Sequence, residues 1–152
     1  MKRAEDRRTA AFTLIEIMAV VIIIGLLTTV VGGMVFQQVD KARATTARTQ
    51  LNTLEAQLEL YRMDNARFPT TEQGLDALVH EPTGEPAPRN YQPGGYLKGG
   101  KVPLDPWGEP YYYESPGQHN QHSFDLWSHG ADSAPGGEGP DSDVGNWADE
   151  QS

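Results

Sequence analysis

Hydrophobic and polar positions divide the chain into distinct stretches. Residues 1–11, MKRAEDRRTAA, are polar and carry Lys2, Arg3, Arg7 and Arg8. An almost unbroken apolar run, FTLIEIMAVVIIIGLLTTVVGGMVF, occupies 12–36. At about 25 residues it exceeds the roughly 20 needed to cross a hydrocarbon core. A cleavable secretory signal has a shorter apolar stretch followed by a small-residue cleavage site, and no A-x-A-like site closes this run. A buried core helix of this length needs a large protein around it, which the polar remainder cannot supply. The pattern predicts a retained membrane helix. Cations lie before the run and again after it, at Lys41, Arg43 and Arg48, so charge favours a cytoplasmic N-terminus only weakly.

Beyond the run the periodicity changes. Ala44, Ala47, Leu51, Leu54, Leu58 and Tyr61 recur at spacings of three and four, one face of an amphipathic helix over 37–63. No proline interrupts 12–63, so a single helix of about 52 residues and roughly 78 Å is expected. Asp64-Asn65 and then Phe68-Pro69 end it. The remainder, 64–152, reads as a head. Thr70 and Gln73 fit a capping box that opens a short helix with Leu75, Leu78 and Val79 on its apolar face. The Pro- and Gly-rich stretch 82–110 holds Tyr91, Tyr96, Leu97, Val102, Leu104 and Trp107, enough apolar side chain for an ordered loop rather than a linker. Tyr111-Tyr112-Tyr113 and Ser123-Phe124-Asp125-Leu126-Trp127 read as strands joined by a turn at Ser115-Pro116-Gly117-Gln118-His119. The expected fold class is α+β: a long N-terminal helix with a small antiparallel sheet on its C-terminal half.

Composition narrows the function. The formal net charge of −9 argues against nucleic acid as a partner. The chain has no Cys, which excludes a disulfide framework, a thiolate metal site and a thiol nucleophile. No Gly-x-Ser-x-Gly elbow or Gly-rich phosphate loop is present. His119 and His122 are spaced as H-x-x-H in an expected turn without an indicated third ligand, so they and His80 and His129 read as loop histidines. Trp107, Trp127 and Trp147 read as packing anchors. The chain is therefore not expected to be an enzyme.

Glu16 is the anomaly of the apolar run. An intramembrane acid costs about 2.5–3.5 kcal/mol on insertion scales and marks a functional position by default. A carboxylate near the interface, reaching water, fits its place four residues into the run equally well.

Around that residue, Ala11-Phe12-Thr13-Leu14-Ile15-Glu16 resembles the processing site of type IV pilins and type II secretion pseudopilins. The resemblance implies cleavage between Ala11 and Phe12 by a prepilin peptidase and N-methylation of Phe12. It also implies an assembly role for Glu16, pairing with the N-terminal amine of a neighbouring subunit. Ala11 stands where that family normally has Gly. Further blocks, Phe68-Pro69-Thr70-Thr71-Glu72-Gln73-Gly74-Leu75, Pro88-Arg89-Asn90-Tyr91, Asp105-Pro106-Trp107-Gly108, Ser115 to His119 and Gly145-Asn146-Trp147, resemble in order those of the major pseudopilin family of type II secretion (general secretion pathway protein G). Many type IV pilins instead close a C-terminal loop with a Cys pair.

The family resemblance implies a type IV pilin-like fold and the role of major subunit of a periplasmic pseudopilus that promotes export of folded proteins across the outer membrane. It implies a homo-oligomeric filament, minor pseudopilins, prepilin peptidase, the inner-membrane assembly platform and the membrane itself as partners. The leader 1–11 and the N-terminus would be cytoplasmic, the chain single-pass in the inner membrane, and the head periplasmic. A type IV pilin or minor pseudopilin is the nearest alternative. A membrane-anchored periplasmic calcium-dependent binding module is an alternative of another class.

The last third is acidic throughout, since no Lys or Arg follows Lys101. Asp132, Glu138, Asp141 and Asp143 lie in a loop punctuated by glycines, which suits the oxygen-only shell of Ca²⁺ or a solvated acidic loop. The spacing is not that of an EF-hand. The resemblance implies Ca²⁺ held by Asp132 and Asp143, with main-chain oxygens of His129 and Ala134. Ser142 stands where relatives have a second Asp, leaving its hydroxyl or Asp141 to substitute.

Overall fold

The computed structural model describes residues 12–147, and over 29–37 only the course of the backbone. The chain forms two compact units, Met1–Val39 and Asp40–Ser152. One helix, α1, runs Leu14–Asn65. Thr13 opens it, its hydroxyl and carbonyl oxygens accepting the Glu16 N–H at 3.3 and 3.1 Å. Ala66 closes it in the left-handed conformation (φ 62°), returning its N–H to the Arg62 carbonyl at 2.7 Å.

The core of the second unit gathers on the expected helical stripe. Ala47, Leu51, Leu54, Leu58 and Tyr61 are at most 2% exposed and join Leu75, Ala77, Leu78, Tyr96, Tyr111, Phe124, Leu126 and Val144 in one cluster. Asn65 ties the helix end to the following loop. Its amide donates to the Tyr61 carbonyl and the Tyr96 hydroxyl, both at 3.0 Å, and its side-chain oxygen accepts the Asn90 N–H at 3.0 Å. The loop 82–110 is ordered as expected, Tyr96 buried and Tyr91, Leu97, Val102 and Trp107 packed on the core. Leu104 departs from the expectation, lying 56% exposed.

The capping box forms as read, Gln73 N–H to Thr70 Oγ1 at 3.2 Å and Thr70 N–H to Gln73 Oε1 at 3.1 Å. The helix that it opens is not α-helical. A turn covers 71–74, and only Leu75–Leu78 follows as a single 3-10 turn. Gly74, in the left-handed region at φ 57°, breaks the helical run between them.

The sheet has three antiparallel strands in the order β1 (Tyr112–Glu114), β2 (Asp125–Ser128) and β3 (Val144–Gly145). Tyr112 pairs with Trp127, Tyr113 with Leu126, and Ser128 with Val144. The third strand was not anticipated, being only two residues long, below the length at which alternation can be read. The first two strands also begin one and two residues later than expected. Asp125 accounts for the second shift, because its carboxylate organises residues 119–120 into a connection longer than a tight turn.

Candidate functional site

In the first unit, every large apolar side chain from Phe12 to Leu27 stands open, from 47% exposed at Val20 to 80% at Leu14. Leu14, Ile15, Ile17 and Met18 fall on different sides of a helix at 3.6 residues per turn, so the surface is apolar all round. Such a helix is stable only when lipid or other helices cover it. Among the described residues no helix is long and apolar enough to cross a membrane, and side chains 29–36 of the expected 12–36 span lie outside them. Glu16 is an exposed carboxylate in the first turn of α1. Ala11 lies outside the described residues, while Phe12 is 75% exposed.

In the second unit, two buried carboxylates hold the segments leading to the acidic loop. Asp105 Oδ1 accepts the N–H groups of Trp107 and Glu109 at 3.0 and 2.8 Å, and its Oδ2 accepts the Ser128 hydroxyl at 2.5 Å. That hydroxyl oxygen in turn accepts the Gly130 N–H at 3.2 Å. Asp125, 2% exposed, accepts the His119 N–H at 2.8 Å, the Asn120 N–H at 2.9 Å and the Asn120 amide at 3.0 Å. Burial works to raise the Asp125 pKa, but the N–H groups of His119 and Asn120 outweigh it and hold the carboxyl below its ordinary value.

The acidic loop is folded around Asp143. Its Oδ1 contacts His129 Nδ1 at 3.0 Å, and its Oδ2 accepts the Gly136 N–H at 3.0 Å. Asp132 caps the Ala134 N–H at 3.1 Å, and the Ser142 hydroxyl donates to the Gly139 carbonyl at 2.9 Å. Asp141 is exposed in a 3-10 turn spanning Gly139–Asp141. Main-chain oxygens converge on Gly130 (φ 73°), where a β-carbon would lie 2.8 Å from the Ser142 carbonyl oxygen and 3.0 Å from that of Pro140. Among the described residues, no three His, Asp or Glu side chains gather as a metal cluster. Any cation here must rely on main-chain oxygens beside at most two carboxylates, which suits Ca²⁺ and not Zn²⁺.

Sequence reasoning missed an aromatic strip on the outward face of the sheet. Tyr112 stacks on Trp127 with ring centres 5.6 Å apart, and His129 lies 4.4 Å from Tyr112. Trp147 lies 6.0 Å from Trp127 and stacks on His119 at 4.1 Å and 9°. Strand parity could have found the Tyr112–Trp127 pair, but Trp147 arrives only through the unanticipated β3. His119 is thus more than an exposed loop histidine, since its Nδ1 also meets Asp125 at 3.0 Å. His122 is exposed in the loop, and His80 contacts Asp76 at 2.9 Å.

Comparison with known proteins bears on both units. The family model for Type II secretion system (T2SS), protein G, matches residues 34–147, and that for the prokaryotic N-terminal methylation motif matches residues 6–32. The chain is 48% identical to the type II secretion system core protein G of Pseudomonas aeruginosa over 143 residues, 94% of this chain and 98% of that protein. It is 46% identical to that of Aeromonas hydrophila, covering 94% and 95%. The crystal structure of the major pseudopilin from the type 2 secretion system of enterohaemorrhagic Escherichia coli matches with a TM-score of 0.63 and 45% identity, covering 72% of this chain and 90% of that one. A long helix with a small antiparallel sheet, an uncovered apolar N-terminal segment and these matches lead to one conclusion: the chain belongs to the type II secretion system protein G family.

Proposed function

We propose that the chain is the major structural subunit of a type II secretion pseudopilus, anchored in the inner membrane and polymerising in the periplasm to promote export of folded proteins. The observation that carries this reading is the uncovered apolar surface from Phe12 to Leu27. Burying one such side chain yields about 1.5–3 kcal/mol, so lipid before assembly and neighbouring helices after it both relieve the exposure. Glu16 is the one charged residue in that segment. Paired with the N-terminal amine that cleavage would create at Phe12 of a neighbour, its carboxylate would favour one axial stagger, because either charge left unpaired among apolar helices is costly. Prepilin peptidase, minor pseudopilins and the inner-membrane platform are the partners this reading requires.

Intact mass of the membrane-extracted protein tests it. Loss of residues 1–11 with one added methyl group is expected, together with filaments that disappear in Glu16→Ala. An unprocessed N-terminus, or normal filaments from that variant, defeats the corresponding part of the reading.

The acidic loop supports a calcium site within the same function. Asp132 and Asp143 would supply carboxylates and His129 and Ala134 main-chain oxygens, with Ser142 or Asp141 completing the set. Bound there, the ion would neutralise a loop that has little apolar content of its own. Its role would be to order the loop.

A further inference from the structure

The H-x-x-H pair at His119 and His122 is a feature of the head that a filament subunit leaves unused. The fold holds one member of the pair in a defined orientation. The His119 ring stacks on Trp147 with ring centres 4.1 Å apart and planes 9° from parallel, and its Nδ1 lies 3.0 Å from Asp125 Oδ2. Asp125 is buried, yet the N–H groups of His119 and Asn120 hold its carboxyl below its ordinary pKa, so at neutral pH it is ionised and only accepts. The hydrogen between the two side chains therefore sits on Nδ1. A neutral imidazole with its hydrogen there keeps a lone pair on Nε2.

A carboxylate behind an imidazole is the arrangement that prepares histidines for metals, because it fixes the tautomer and raises the basicity of the far nitrogen. Here the far nitrogen belongs to the open side, since the His119 side chain is 56% exposed against 2% for that of Asp125. Among the described residues neither Nε2 of His119 nor either nitrogen of His122 has a hydrogen-bond partner. The connection that carries them is itself fixed. Ser123 N–H closes a turn on the Asn120 carbonyl at 2.9 Å, and the Asn120 amide donates to Asp125 and to the Phe124 carbonyl. His122 is exposed in that turn, and both histidines line one open depression.

We propose that His119, through Nε2, and His122 hold a divalent transition-metal ion of the Zn²⁺, Ni²⁺ or Cu²⁺ class, at a site separate from the acidic loop. Imidazole nitrogen suits these ions, and the chain has no Cys to compete for them. Ca²⁺, which takes oxygen ligands, has no preference for such a pair. No third His, Asp or Glu joins the pair among the described residues, so water fills the remaining positions and the ion exchanges freely. Coordination ties the anchored start of the connection to its exposed turn.

A copper titration of the full chain in detergent, with Ca²⁺ in excess to occupy the acidic loop, tests it. Cu²⁺ quenches tryptophan emission at short range, and Trp147 lies directly on His119. The parent should show saturable quenching by one ion per chain, reversed by excess Zn²⁺, which binds imidazole without quenching. His122→Ala should weaken half-saturation about tenfold or more. His80→Ala, which removes a histidine paired with Asp76 elsewhere, should bind as the parent does. Quenching linear in copper, an unchanged half-saturation in His122→Ala, or equal losses in both variants overturns the proposal. In the parent itself, Ni²⁺ should broaden the ring-proton NMR signals of His119 and His122 before those of His80, and the reverse order overturns it as well.

Discussion

The indole of Trp147 folds back over the α-carbon of Gly145, so closely that a β-carbon at 145 would lie 2.6 Å from the six-membered ring. Atoms do not approach to that distance without something moving. Gly145 therefore sits in β3 because the sheet's outward face is covered by an indole two residues further on, not because the backbone there demands glycine. Gly145→Ala should displace Trp147 from His119 and Trp127. A loss of about 1–3 kcal/mol is expected, the usual cost of overpacking. The check is a lowered melting temperature together with red-shifted tryptophan emission. A variant with unchanged emission would show that the ring is not held there.

Asp125 links folding to acidity. Its folded pKa lies below the ordinary value, so its contribution to stability is complete above the unfolded pKa of about 3.9 and disappears as pH falls through the folded value. Asp125→Asn should be less stable than the parent at neutral pH, because a neutral amide accepts the His119 and Asn120 N–H groups less strongly than a carboxylate. The difference should shrink on acidification below about pH 4. Melting temperatures of both proteins across that range decide it, and a gap independent of pH would assign the stabilisation elsewhere.

How much of this was legible beforehand differs by element. The stripe from Ala44 to Tyr61 could be read because helical periodicity repeats often enough to be counted over many turns, and all of its positions are buried except Ala44 at its start, which is half-buried. The Thr70–Gln73 box was equally readable, being a local exchange of hydrogen bonds. β3 was not, since two residues carry no alternation, and with it went the position of Trp147. Asp105 and Asp125 gave no warning either. Their burial is set by N–H groups that converge only after the 105–109 and 117–123 segments fold. Of the candidate site, residue type picked out the acidic loop with Asp132, Glu138, Asp141 and Asp143, and only the family resemblance singled out Asp132 and Asp143. Neither could show that Asp143 is held by His129 and Gly136, residues fourteen and seven positions away.

Leu58, fully buried on the helical stripe, tests whether the stripe and the sheet share one core. Leu58→Ala should cost about 2–5 kcal/mol, the transfer term plus the unfilled cavity. Leu60, 37% exposed two positions on, should lose far less when shortened to Ala. Comparable losses at both positions would contradict the one-sided burial of α1 in this unit. Chemical denaturation of the detergent-extracted chain, followed by tryptophan emission, gives both values.

The calcium site proposed above lies in the least apolar segment of the same head. The carboxylates of Asp132, Glu138, Asp141 and Asp143 share one loop, and no basic residue follows Lys101 to offset them. A cation that binds only the folded loop stabilises it by mass action, about 2.7 kcal/mol when free ion is a hundredfold above its Kd. Ca²⁺ should therefore raise the melting temperature of the full chain in detergent, and a chelator should lower it. Mg²⁺ at equal concentration should do less, because it demands stricter octahedral geometry and dehydrates reluctantly. Asp132→Ala should abolish the calcium response while leaving the metal-free melting temperature nearly unchanged, since among the described residues Asp132 makes only the short cap to Ala134. A melting curve indifferent to Ca²⁺ in the parent protein would remove the site. A response that survives in Asp132→Ala would move it to other oxygens of the loop.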